Sequence, residues 1–73
     1  MRKARNQDLI IKIALRIKKI REKQDITQEV FYNDTGINIG RIECAKRDIT
    51  MTTLNAICNY LNVSLEEFFK GLK

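Results

Sequence analysis

A chain of 73 residues fits one domain, and 44% hydrophobic with 32% charged residues is a globular mixture, not a disordered one. Fourteen Lys and Arg against nine acids give a net charge of +5, which suits a polyanionic partner. With no histidine and two cysteines there is no set of soft metal ligands and no Ser/His or Cys/His pair, so no cofactor is expected and an enzyme is argued against.

Proline is absent and glycine occurs three times, which leaves little turn chemistry for a β protein; apolar residues recur at helical spacing instead. A first helix is predicted from near Asn6 or Asp8 to around Lys23. Ile10, Ile13, Ala14, Ile17 and Ile20 share its inner face, with Lys12, Arg16, Lys18, Lys19 and Lys23 largely outside it. Gln24-Asp25-Ile26-Thr27 is a short connection, and Asp25 suits a left-handed helix end. Thr27 can cap a second helix, about Gln28 to Asn33. Asp34-Thr35-Gly36 then reads as a turn, with Thr35 capping a third helix. Ile39 and Ile42 face inward from that helix, and Ile37, Asn38 and Arg41 face outward.

Cys44 to Ile49 reads as a loop carrying Lys46 and Arg47. Thr50 caps a fourth helix with Leu54, Ile57, Cys58 and Leu61 inside, and Asn62-Val63 breaks it. Ser64-Leu65-Glu66-Glu67 has the form of a capping box opening a fifth helix with Leu65, Phe68, Phe69 and Leu72. The fold class is all-α. Residues 1–12 form a basic extension able to continue the first helix, and residues 13–73 form the domain.

The second and third helices, joined by a tight turn, match a DNA-reading helix-turn-helix. The first of such a pair crosses the backbone while the second enters the major groove by its N-terminal half, so its outward residues must be small or base-matching. Gly36, Ile37, Asn38, Gly40 and Arg41 satisfy this with no acid among them. The competing reading is two short helices packing a small bundle. Charge alone does not choose: residues 1–23 carry +7 and residues 24–73 carry −2, which also describes a solvated helix face.

The segments Ile17-Lys18-Lys19-Ile20-Arg21-Glu22-Lys23, Ile26-Thr27-Gln28-Glu29 and Ile39-Gly40-Arg41-Ile42-Glu43 follow one another in a telling order. After them come Lys46-Arg47, Thr50-Met51-Thr52-Thr53-Leu54 and Leu61-Asn62-Val63-Ser64-Leu65-Glu66-Glu67-Phe68-Phe69. In this order they resemble the Cro/lambda-repressor-like, or XRE-type, helix-turn-helix regulators, from Ile13 to Phe69. The chain is about one helical turn shorter than the family pattern between Gln28 and Glu43, a loss that falls at the end of the second helix and the turn. Ala45 stands where the family has Gly, at a cost of about 1 kcal/mol if that corner is left-handed, and Ile49 stands where it has Pro.

The resemblance implies a five-helix lambda-repressor-like domain and assigns roles. Gln28 would bond phosphate and brace the reading helix. Gly36, Ile37 and Asn38 would sit at base edges, Asn38 pairing with adenine and Ile37 meeting a thymine methyl. Arg41 would read guanine or clamp a phosphate, and Lys46 and Arg47 would hold the backbone. Glu43 would pair with Arg21, away from DNA.

The expected function is a sequence-specific binder of double-stranded DNA, a transcriptional regulator of the repressor kind acting as a homodimer. Phe69 with Leu72, or Leu9 to Ile11, supplies the dimer contact. The alternative is an antitoxin or other module that binds a protein partner and its own promoter. Cys58 reads as a small buried hydrophobe, and two thiols without CxxC spacing fit the cytoplasm. No apolar run approaches the roughly 18 residues of a membrane span, and the basic N-terminus lacks the apolar stretch of a secretory leader. The arm Arg2-Lys3-Arg5 reads equally as a phosphate contact or a solubilising tail.

Overall fold

Each of the five helices among the described residues begins at a side chain that accepts a hydrogen bond from the backbone three residues on. The structure is a computed structural model, and it describes residues 6–72. Asn6 caps α1 (Gln7–Lys23), Thr27 caps α2 (Gln28–Thr35), Asn38 caps α3 (Ile39–Glu43) and Thr50 caps α4 (Met51–Tyr60). Ser64 and Glu67 close a full capping box on α5 (Leu65–Lys70). Among the described residues there is no strand, and no helix is long and apolar enough to cross a membrane.

Among the described residues, four with positive φ supply corners. Gly36 (75°) ends α2, while Asp25 (59°), Ala45 (59°) and Asn62 (61°) follow the ends of α1, α3 and α4. Asp25 and Asn62 tolerate this region better than most residues, whereas Ala45 bears the full steric cost of its Cβ. The Ala45 methyl is nevertheless buried, in a small cluster with Ile10 and Ala14 of α1.

The main core joins every helix. Ile13, Ile17 and Ile20 meet Phe31, Ile39, Leu54, Ile57, Cys58, Leu61 and Phe68. α1 and α2 both lie against α3, and α4 lies against α5. Two long polar side chains tie ends together. Gln24 donates to the Leu61 carbonyl at the end of α4 (2.7 Å). Arg16 donates to the carbonyls of Phe68 and Glu67 and lies over the Phe68 ring.

Three local expectations are corrected. Thr35 does not cap the third helix: it is the last residue of α2, which runs past Asn33, and its hydroxyl donates back to the Phe31 carbonyl. Asn38 takes the capping role, so α3 starts at Ile39. Leu72 lies beyond the end of α5 and does not share a helical face with Phe69. The two line different depressions, Phe69 with Leu9 and Met51, Leu72 with Leu15 and Arg16.

Candidate nucleic-acid interface

With only five residues, α3 cannot hold its own geometry and must be fixed from outside. Ile39 anchors its start in the core at 1% exposure. Glu43 anchors its end: Arg21 of α1 donates to Glu43 through Nε (2.7 Å) and Nη2 (3.0 Å). A third guanidinium nitrogen, Nη1, donates to the Ile26 carbonyl (2.7 Å), so one side chain links α1, the α1–α2 connection and α3. The hydrogen bond from Glu43 raises the already high pKa of Arg21 against the opposing effect of burial, so the pair is ionic.

Gln28, the first residue of α2, joins this network by donating from its side-chain amide to Glu43 Oε1 (2.9 Å). Its amide lies across Gly40, where a Cβ would stand 3.1 Å from Gln28 Oε1. A side chain at Gly40 would press on the Gln28 amide and force it to shift by a few tenths of an ångström. One of the two amide hydrogens of Gln28 is engaged inside the protein, and the other stays free.

The remaining candidate residues fall into two groups. Gly36 is exposed at its left-handed position, and a Cβ there would touch nothing within 4 Å. Asn38 is exposed, but its Oδ1 accepts from the Arg41 backbone (3.2 Å), so the amide has a structural duty at the helix start. Arg41 is exposed. Ile37 departs from its expected outward position: it is half-buried and packs against the core, and its N–H donates to Thr35 Oγ1 (3.0 Å).

Lys46 and Arg47, both exposed, line one shallow depression with Arg41 and Cys44. The helix end and the following loop thus bring three cations together. Two contacts hold that loop in place, the Ala45 methyl in its cluster and a bond from the Gln7 side chain to the Ala45 carbonyl (3.0 Å). Sequence reasoning did not anticipate Gln7 in this role. Nor did it single out Phe31, fully buried in the common core and edge-on to the Tyr60 ring of α4; an aromatic amid the polar residues of α2 was the available signal.

The comparisons with known proteins agree with this arrangement. The Helix-turn-helix family model HTH_3 matches residues 17–68, which include the Arg21–Glu43 pair, both helices of the reading unit and the whole of α4. No curated protein and no solved structure matches the chain. Five helices, a short α3 locked between α1 and α2, and a family match over most of the chain make this an XRE-type helix-turn-helix protein, a DNA-binding transcriptional regulator.

Proposed function

We propose that the chain is a cytoplasmic repressor that binds a two-fold symmetric operator as a homodimer. The observation that carries this reading is the locked α3: Ile39 and the Arg21–Glu43–Gln28 network fix it while Asn38 and Arg41 remain exposed at its start. Fixing a reading element before binding lowers the ordering cost paid on the DNA. In this reading Asn38 and Arg41 meet base edges, Gly36 lets the backbone approach, and the exposed part of Ile37 offers apolar contact. Lys46, Arg47 and the free amide hydrogen of Gln28 hold phosphates, which supply affinity without sequence information.

Dimerisation follows from information and from surface. One reading element covers too few base pairs to select a site among about a million competitors, and two copies related by a dyad read half-sites about 34 Å apart. Leu9, Met51 and Phe69 are 41%, 59% and 38% exposed and line one groove between α1, α4 and α5. That groove unites the two dimer contacts offered by the sequence, Leu9 from the first helix and Phe69 from the last.

Selection of bound duplexes from a random pool tests the proposal, with sedimentation of the protein alone and with the selected site. A palindromic motif bound two-to-one is expected. An asymmetric motif bound one-to-one defeats the dimer, and the absence of any enriched motif defeats sequence-specific reading. Placing the selected site across a promoter in an in vitro transcription assay tests repression; increased transcription would overturn it.

A further inference from the structure

The outer face of α1 carries four exposed lysines, and neither the proposed reading unit nor the core uses it. Ile17 is fully buried, and Leu15 and Lys19, two residues to either side, lie about 160° from it around the helix. Lys12, Lys18 and Lys23 are also exposed on α1. Among the described residues the salt bridge is Arg21–Glu43, which leaves these four lysines without a carboxylate partner. The two arginines of the helix are occupied, Arg21 with Glu43 and Arg16 at the end of α5. Leu15 stands among the lysines at 61% exposure, more than any other large apolar residue of the described chain. Leu15, Lys18, Lys19, Glu22 and Lys23 form an open, nearly flat face, and Leu15 and Lys19 also border a separate depression that includes Leu72.

We infer that this face docks an acidic peptide segment of a protein partner, with an apolar side chain seated on Leu15 and carboxylates on the surrounding lysines. Charge complementarity makes the choice. A second copy of the chain would set these lysines against their own counterparts, a repulsive arrangement. A nucleic-acid backbone would satisfy the lysines but offers nothing to an exposed leucine. An acidic segment with one apolar anchor per turn satisfies both, and it can lie along the open face of a helix of this length. Two carboxylates share the exposed side of α1, Glu22 one turn beyond Lys18 and Lys19 and Asp8 one turn before Lys12, so the four lysines keep a positive excess and Lys23 is the one with neither acid a turn away. The inference is independent of operator reading, because the reading unit and α1's outer face share no residue.

Fluorescence anisotropy with two labelled helical peptides tests it. The first carries Glu on one face with a Leu in each turn, and the second has every Leu replaced by Ser. The wild-type chain should bind the first about tenfold more tightly than the second, the scale of burying one leucine side chain. Leu15→Ser should remove that preference, and Lys12→Gln/Lys19→Gln should weaken both peptides, with helical circular dichroism unchanged. Binding of a random DNA duplex by Leu15→Ser should stay within about twofold of wild type. Equal binding of both peptides, or a preference that survives Leu15→Ser, overturns the inference. Loss of duplex binding in Leu15→Ser would assign the face to DNA instead. Binding to vesicles of anionic phospholipid in preference to the first peptide would assign it to a membrane surface.

Discussion

Glu43 receives both its guanidinium bonds from Arg21, a residue 22 positions earlier, and the two side chains are 5% and 7% exposed. A buried pair of this kind is costly to break from one side, because the remaining charge keeps its desolvation penalty without its partner. Glu43→Ala should therefore destabilise the fold by about 3 kcal/mol or more. Arg21→Met combined with Glu43→Leu should recover much of that loss, since no unpaired charge remains. Urea denaturation of the singles and the double checks this. Additive losses in the double variant would mean that the two residues act independently.

Gly36 isolates a backbone effect from packing. Its φ of 75° is unfavourable for an L side chain, yet a Cβ would meet nothing within 4 Å. Gly36→Ala should cost about 1 kcal/mol, and Gly36→Asn less, because Asn tolerates the left-handed region. Thermal denaturation gives the order. An Ala variant as stable as wild type would place the corner outside that region.

Asn38 combines a helix cap with the proposed contact to a base, and the two can be separated. Asn38→Ala removes both, so it should cost about 1 kcal/mol of stability as well as affinity for the selected site. Asn38→Ser keeps a capping oxygen and loses the amide, so it should be near wild type in stability and weaker on the preferred site by about 1–3 kcal/mol. Lys46→Ala should weaken preferred and random duplexes alike and flatten the salt dependence by about one phosphate. Gel-shift titrations over a range of salt distinguish the two patterns. Equal loss on random DNA for Asn38→Ser would make Asn38 a backbone contact.

Tyr60 carries a pH signature. Its hydroxyl donates to the Asp34 carboxylate, and that bond, with lesser help from burial and the negative charge, pushes its pKa above the ordinary value of 10. The folded pKa is raised, so the bond's contribution to stability is complete below pH 10 and is lost as pH rises through the folded value. In a Tyr32→Phe background, absorbance titration should show Tyr60 ionising later than tyrosine in the urea-unfolded chain. Asp34→Asn should bring it back towards that reference. A curve unmoved by Asp34→Asn would assign the shift to something other than this bond.

Much of the fold was legible because helix starts are written locally. Thr27, Thr50 and the Ser64–Glu67 box are signals within four residues, and inner faces such as Leu54, Ile57, Cys58 and Leu61 follow a simple period. The left-handed end at Asp25 is readable for the same reason, whereas that at Ala45 has no local signal, since Ala disfavours positive φ and only the family's Gly points to it. The turn between α2 and α3 was less legible. Thr35 and Asn38 can both cap, and the choice depends on Gly36 taking a positive φ and on Ile39 reaching the core, a tertiary matter. The role of Arg16 is not legible locally, because its partners, the end carbonyls of α5, lie more than fifty residues away in sequence. Ile37 turned inward for a similar reason: its neighbours belong to the core, not to its own segment.

The brace on Ala45 sets the limits within which this reading unit can be exchanged. Gln7, Ile10, Ala14 and Arg16 all precede the family match, which begins at Ile17, yet they hold the loop after α3 and the end of α5. A graft cut at the family boundary would carry the strained corner at Ala45 without the contacts that offset it. The portable cassette is therefore the whole of α1 together with α2 to α5, and the first two turns of α1 behave as part of the reading head, not as a leader to it.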